Sequence, residues 1–258
     1  MTLVAIEAAL AAGELLRQGF GTNFSISSKE GRHNLVTEYD HKAEKLILDF
    51  ISQNVPNSHF LAEESGFSGK DKGGICWIVD PLDGTVNFAH QIPTFAVSIA
   101  AQRQGKIISG VIFLPITHEL FVAEIGKGAF LNGQEIRVSQ VRSLEESILA
   151  TGFPYDLAKN PFHCIDHFTD ILKVGIPIRR MGAAAIDLAY TAAGRFEGFF
   201  EVELAPWDVA AGKLLVEEAG GKVTSWDNTL FDIHSRATIF ASNGHIHNSV
   251  SAILNRTV

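Results

Sequence analysis

Hydrophobic positions recur along this chain with two periods, and the switches between them divide it into elements. Residues 1–20 read MTLVAIEAALAAGELLRQGF, an Ala- and Leu-rich stretch broken by Glu7 and Glu14, as in an amphipathic helix. Residues 24–32 are polar and contain glycine, which predicts a hairpin or loop carrying Lys29. Ala43, Leu46, Ile47, Phe50 and Ile51 then follow the helical period, with Asp40 expected at the start of that helix as its N-cap. Residues 56–64 read as a turn and a short strand ending in Glu63 and Glu64, and 65–74 as a Gly-, Ser- and Lys-rich loop. The run 75–79, ICWIV, has the length and branching of a buried strand, and the turn residues Asp80, Pro81, Asp83 and Gly84 bound it. Three further strand signals, 95–102, 106–114 and 119–124, with turns at Gly105 and 115–118, predict an antiparallel meander.

The second half has a mixed pattern. It predicts a strand at 148–151, a helix near 161–174, a strand toward Arg179 and Arg180, and a small-residue helix over 182–194. A strand at 196–201 follows, then a helix opened by Pro206-Trp207-Asp208 and closed by Gly220 and Gly221, with Asp208 as N-cap. Strands at 222–225 and 238–241 and a helix over 248–256 complete the chain, with no internal repeat, linker or low-complexity segment. At 258 residues the chain can bury a substantial core, as one large domain or as two intimately packed halves.

Charge and cysteine usage narrow the classes of function. A net charge of −8 argues against nucleic acid or an anionic membrane held by general electrostatics, so neither is an expected partner. No basic region precedes the apolar N-terminal stretch, and no run reaches the length of a membrane span, so neither a leader nor an anchor is expected. Cys76 and Cys164 are far apart and lack CxxC spacing, which fits free thiols in a reducing cytoplasm.

The chemistry concentrates in residues 80–88, DPLDGTVNF. Asp80 and Asp83 stand where a strand ends, Gly84 permits close approach of the backbone, and a helical turn opening at Thr85 would aim free N–H groups at the same point. Carboxylates for cations and amides for an anion fit Mg²⁺, which binds through one or two carboxylates together with substrate phosphate oxygens. The alternative is a turn in which both acids cap local backbone. Residues 126–133 lack the Gly-Lys-Ser/Thr ending of a nucleotide-binding P-loop, and the Asp-x-Asp-Gly-Thr of aspartyl-nucleophile phosphatases is one residue shorter between its acids. His163, Cys164 and His167 fall close together on one helix, where surface or interface residues are preferred to a zinc site.

Residues 77–88, WIVDPLDGTVNF, resemble the signature of the inositol monophosphatase family, the lithium-sensitive, Mg²⁺-dependent phosphomonoesterases. Segments 35–40 (LVTEYD), 62–65 (AEES) and 206–212 (PWDVAAG) resemble its other motifs in the same order, so the similarity spans essentially the whole chain. It implies an α+β, mixed α/β chain folded as the layered αβαβα sandwich of the inositol monophosphatase and fructose bisphosphatase type. It implies one catalytic domain over 1–258, with an antiparallel-sheet half at roughly 1–142 that carries the metal site and a mixed half at 143–258.

By the same resemblance, Glu63, Asp80 and the Leu82 carbonyl hold a first Mg²⁺, and Asp80, Asp83 and Asp208 hold a second. Glu63 also serves a weaker third ion through water, with Glu64 a lesser neighbour; Mn²⁺ is an expected substitute and Li⁺ an expected inhibitor. Thr85 and Asp40 orient the attacking water, with Glu63 counted beside them in the catalytic group, and the N–H groups of Gly84 and Thr85 receive phosphate oxygens. Asp83, the backbone of Gly182, Ala183 and Ala184, and the acids Glu201 and Asp208 face the polyol. Ala183 departs from the Ser or Thr of many relatives, which removes a hydroxyl contact. Arg179 and Arg180 are assigned to structure or a subunit contact rather than to a second phosphate. The implied activity is hydrolysis of inositol monophosphate by a cytoplasmic homodimer. The rivals are fructose bisphosphate, phosphonucleotide or histidinol phosphate as substrate, and a regulatory or interaction protein on the same fold.

Overall fold

The computed structural model describes residues 1–28, 34–69 and 74–257. Helices α1 (Thr2–Gly19) and α2 (Glu38–Asn54) flank a two-stranded antiparallel ribbon of β1 (Ile26–Ser28) and β2 (Leu35–Thr37). The hairpin expected before α2 is therefore present, while Lys29 and its neighbours to residue 33 lie outside the described residues. Thr37, not Asp40, is the N-cap of α2. Asp40 stands one turn inside, where its Oδ2 accepts from the Thr37 N–H at 2.8 Å and from the Thr37 hydroxyl at 2.6 Å. The sequence shows a capping acid, but the Ser/Thr three residues earlier sets the frame.

The central sheet has eight strands: β3 (His59–Ala62), β4 (Gly66–Ser68), β5 (Cys76–Asp83), β6 (Ala96–Arg103), β7 (Lys106–Leu114), β8 (Glu119–Glu124), β9 (Gly128–Leu131) and β10 (Gln134–Ile136). Its order is β10-β9-β8-β7-β6-β5-β3-β4, antiparallel except where β3 runs parallel to β5. The expected meander is β6 to β8. Two segments read as loops contain strands: β4 lies within 65–74, whose residues 70–73 are outside the described set, and β9 lies within the glycine-rich 126–133. Both are short edge or near-edge strands, whose partners supply the regularity that their glycines obscure. A short helix α3 (Thr85–Ala89) follows β5 directly.

The remaining chain builds a second sheet and its helices: β11 (Leu149–Thr151), α4 (Cys164–Lys173), β12 (Ile178–Arg179), α5 (Ala184–Ala192), β13 (Gly198–Val202), α6 (Pro206–Glu218), β14 (Lys222–Thr224), β15 (Thr238–Ser242) and α7 (His247–Leu254). Its five strands run β12-β11-β13-β15-β14. Helix α4 starts later than the sequence pattern implies because Asn160, Phe162 and His163 take left-handed backbone conformations. Cys164 and His167 are buried rather than surface residues, His167 packs edge-on against Trp226, and Cys164 is a free thiol.

Stacked in order, the layers are α1 and α2, the eight-stranded sheet, α5 and α6, the five-stranded sheet, then α4 and α7. This is the αβαβα sandwich. Alternate residues of β5 serve opposite cores: Trp77 and Val79 pack under α1 and α2, and Ile78 faces α5 and α6. The middle helices press close because small residues line them. A Cβ at Gly110 of β7 would sit 2.8 Å from the Ala211 carbonyl, and one at Gly212 would sit 2.5 Å from Leu188 Cβ.

At the start of α7, buried His247 stacks on Phe240 and bonds the Thr224 hydroxyl through Nε2 at 2.9 Å and the Ser242 hydroxyl through Nδ1 at 2.7 Å. Desolvation, with a smaller contribution from Lys222, lowers its pKa from 6.5 to about 4. The imidazole is neutral in the fold, so its contribution is complete above pH 6.5 and is lost as pH falls toward 4. Denaturant unfolding should therefore lose about 3 kcal/mol from this group across that window. His247→Gln should flatten the pH slope accordingly; an unchanged slope would place the acid-sensitive group elsewhere.

Candidate active site

The site grows from an irregularity in β5. Its pairing with β6 slips between Asp80 and Asp83, so the strand bulges where the sequence places Pro81 and Leu82. Parallel pairing with β3 sets Glu63 beside the same point, with its N–H on the Val79 carbonyl at 3.1 Å. Asp80 turns one oxygen back to the Leu82 N–H at 3.0 Å, and Glu63 hydrogen-bonds its carboxyl group. Gly84 then takes φ 95° as the N-cap of α3. A side chain there would be strained, and its Cβ would stand 3.0 Å from the Thr94 carbonyl. This turn delivers the Thr85 hydroxyl to two acceptors, Asp40 Oδ1 at 2.8 Å and the Leu82 carbonyl at 3.0 Å. Residues 40, 82 and 85 thus meet from three segments.

Asp83 reaches the other way. Its Oδ2 accepts from the Ala185 N–H at 2.7 Å, and the Ala184 N–H also bonds it. The acid thereby caps α5, whose own N-cap, Ala183, has no side chain able to do so. Asp208 is the third residue of α6, not its N-cap: Ala205 holds that position, and its N–H bonds Asp208 Oδ2 at 2.7 Å. Glu201, near the end of β13, is buried against Gly152, where a Cβ would come within 2.2 Å of its Oε2.

These acids load one another with negative charge. Burial raises Asp80 well above the ordinary carboxylate range, and Glu63, Asp83 and Asp208 push it further. Asp83 is raised in the same way, by burial and then Asp208, against the opposing helix amides. Glu201 is raised by burial, Asp208 and Asp83, with Arg180 opposing. Asp40 is raised mainly by burial, and its threonine hydrogen bonds offset part of the effect. Among the described residues no three His, Cys, Asp or Glu side chains form a closed metal cage. Mg²⁺ does not require one, because it retains waters and shares its ligands with phosphate. A set of hard oxygen donors, buried or half-buried and mutually repelling, fits that ion.

Three further residues shape the site without standing out in the sequence. Glu44, buried on α2, accepts from the Glu64 N–H at 2.8 Å and pins the turn carrying Glu63. Asn87 donates to the carbonyls of Thr94 at 2.7 Å and Met181 at 2.9 Å, tying α3 to the 181–184 loop. Asp187, fully buried on α5, lies near Glu201 and Asp83. The motif-adjacent Asn was open to notice, whereas Glu44 and Asp187 read as ordinary helix positions. Of the arginine pair, Arg179 bonds the Ile178 carbonyl of its own strand, and only the charge of Arg180 bears on Glu201 and Asp187.

Comparison with known proteins places this geometry. The inositol-1-monophosphatase of Caulobacter vibrioides is 45% identical over 248 residues, covering 94% of this chain and 96% of its own length. The Nus factor SuhB of Escherichia coli is 43% identical over 88% of this chain and 85% of its own length. The crystal structure of the extragenic suppressor protein suhB from Bartonella henselae superposes with a TM-score of 0.93 at 43% identity, covering 99% of this chain and 98% of that one. More distantly, an IMPase/NADP phosphatase complexed with Mg²⁺ and phosphate aligns at 25% identity and TM-score 0.84 over 96% and 92% of the two chains. An inositol-monophosphate-bound IMPase aligns at 29% identity and TM-score 0.83 over 98% and 93%. No described helix is long and apolar enough to cross a membrane. With the family pattern matched over residues 1–257, this chain belongs to the inositol monophosphatase family.

Proposed function

We propose that this protein is a Mg²⁺-dependent phosphomonoesterase that hydrolyses an inositol monophosphate to inositol and phosphate. The observation that carries the reading is the Thr85 hydroxyl, fixed between Asp40 and the Leu82 carbonyl at the edge of the buried acids. Glu63, Asp80, the Leu82 carbonyl, Asp83 and Asp208 are the groups that would hold two ions, with a third served by Glu63 through water. Bound there, the cations supply positive charge against phosphoryl oxygens and acidity to water. Thr85 has one proton for two acceptors. Donated to Asp40, it leaves the Leu82 carbonyl free for a cation and a Thr85 lone pair turned to the attacking water. The Gly84 and Thr85 amides receive phosphate oxygens, and no covalent phosphoenzyme forms. Asp83, the backbone of Gly182, Ala183 and Ala184, Glu201 and Asp208 face the polyol, and Li⁺ inhibits by competing for the cation site.

The reading extends to a single catalytic unit acting as a cytoplasmic homodimer on a small phosphorylated polyol. The net charge of −8 supports a partner that is neither nucleic acid nor an anionic membrane. A second reading, an interaction protein on the same fold, is favoured by the relatives named Nus factor SuhB. The two readings separate genetically: a surface role survives Thr85→Ala in the chromosomal gene, and a catalytic one does not.

Phosphate release should be measured on inositol 1-phosphate, fructose 1,6-bisphosphate, histidinol phosphate and an adenosine bisphosphate, with Mg²⁺ and with EDTA. Inositol 1-phosphate should give the highest kcat/KM, and EDTA should abolish release; metal-independent turnover would sink the mechanism. Thr85→Ala should lower kcat by about a hundredfold with the fold intact, and Asp83→Asn should also lose activity. Near wild-type rates from either would move the base or the cation elsewhere. Gly84→Ala should cost about 1–2 kcal/mol in denaturant unfolding through its positive φ and should lower kcat by displacing Thr85.

A further inference from the structure

Asp187 has no part in the mechanism above, yet it is a buried acid that the fold leaves unexplained. It is 1% exposed, and its Oδ1 is sealed from solvent without a hydrogen-bond partner among the described residues. Its carbonyl serves the Thr191 hydroxyl, as any helix position can, but that does nothing for the carboxyl group. A buried acceptor left unmade costs about 1–3 kcal/mol, and an apolar side chain at this position would avoid it. Such a group calls for a donor that arrives from outside the chain.

Its surroundings indicate where that donor enters. Asp187 lies one turn into α5, beyond the Ala184 and Ala185 amides that hold Asp83. Glu201 and Asp83 are the like charges that bear on it, and Arg180 is the opposing one. Glu201 itself lies against the bare backbone of Gly152. Glu201 and Asp187 are thus neighbouring buried acids, with acceptors in excess of donors. A phosphate would be repelled there. Hydroxyl groups, which bring donors and no charge, would be bound.

Resting on the reading of the site as a polyol phosphatase, we propose that Asp187 is a specificity-determining residue. It ends a chain of hydrogen bonds that begins where a substrate hydroxyl donates to Glu201, so that adjacent free hydroxyls on the substrate are read as a pair. Asp187 touches neither the phosphoryl group nor the water, and acts by positioning Glu201 and the donors between them.

The test compares inositol 1-phosphate with p-nitrophenyl phosphate, which has no hydroxyl to read, in the full chain with Mg²⁺. Asp187→Leu should lower the ratio of the two kcat/KM values about tenfold, mainly through KM, as expected for one lost hydrogen bond. Asp187→Asn, which keeps an acceptor oxygen, should recover part of it. Calorimetric binding of myo-inositol alone should weaken in proportion, and Asp187→Leu should melt no lower than the wild type because a buried unpaired acid is gone. A ratio and a myo-inositol affinity unchanged in both variants would overturn the inference, as would equal losses on the two esters. If Asp187→Leu does not fold, Asp187→Asn decides alone. Mg²⁺-dependent hydrolysis of p-nitrophenyl phosphate by the wild type checks the phosphatase reading separately. Hydrolysis without preference for inositol 1-phosphate would end this inference and leave that reading standing.

Discussion

Burying several carboxylates at one point is the constraint around which this fold is arranged. Asp80, Asp83 and Glu201 are each raised by burial and by one another, so their charges oppose the compact state. The architecture offsets this with backbone amides at helix starts. Asp40 bonds the Thr37 N–H ahead of α2, Asp83 the first amides of α5, and Asp208 the Ala205 N–H ahead of α6. Three helices of two different layers therefore begin at the cluster, each with the positive end of its dipole toward an acid. In each case the acid commits an oxygen to the scaffold, and the backbone amide helps to keep the carboxylate in place.

The arrangement also explains why the site straddles the two sheets. A bulge in β5 can aim Asp80 and Asp83 out of the eight-stranded sheet, but it cannot supply acceptors on the far side. Those come from β13 of the five-stranded sheet and from α5 and α6 between the layers. Close packing at Gly110 and Gly212 brings the α6 backbone near enough for Asp208 to share the point. Asn87 bolts the β5 turn to the 181–184 loop. Position is therefore set by rigid elements rather than by flexible loops, as in-line chemistry requires.

Much of this is legible in the sequence because its signals are local. The strand before Asp80, the glycine turn, the helical face from Ala43 to Ile51 and the meander each declare themselves within a dozen residues. Local signals mislead where a partner decides the outcome. Asp40 and Asp208 read as N-caps because an acid before an apolar helical run usually is one, and only the observed frame shows each at the third helical position, bonding back. Strands β4 and β9 were hidden by glycine and exist because β3 and β8 pair with them. The cap that Asp83 provides to α5 spans 102 residues and has no sequence signature. Asp187 is likewise silent: its meaning depends wholly on what surrounds it.

A cluster of this kind ties cofactor to fold as well as to reaction. Any cation that binds the folded chain and not the unfolded one adds RT ln(1 + [L]/Kd) to its stability. Here it would also relieve the repulsion among Asp80, Asp83 and their neighbours, which burial otherwise makes costly. Since Asp83 and Asp208 bond the starts of α5 and α6, a cation held at the cluster would also tie those helices to the β5 turn. The same physics bears on the relatives named Nus factor SuhB. An acid cluster that costs stability when bare is a poor investment for a docking surface alone, whereas one stabilised by cations serves a rigid scaffold and a catalyst equally.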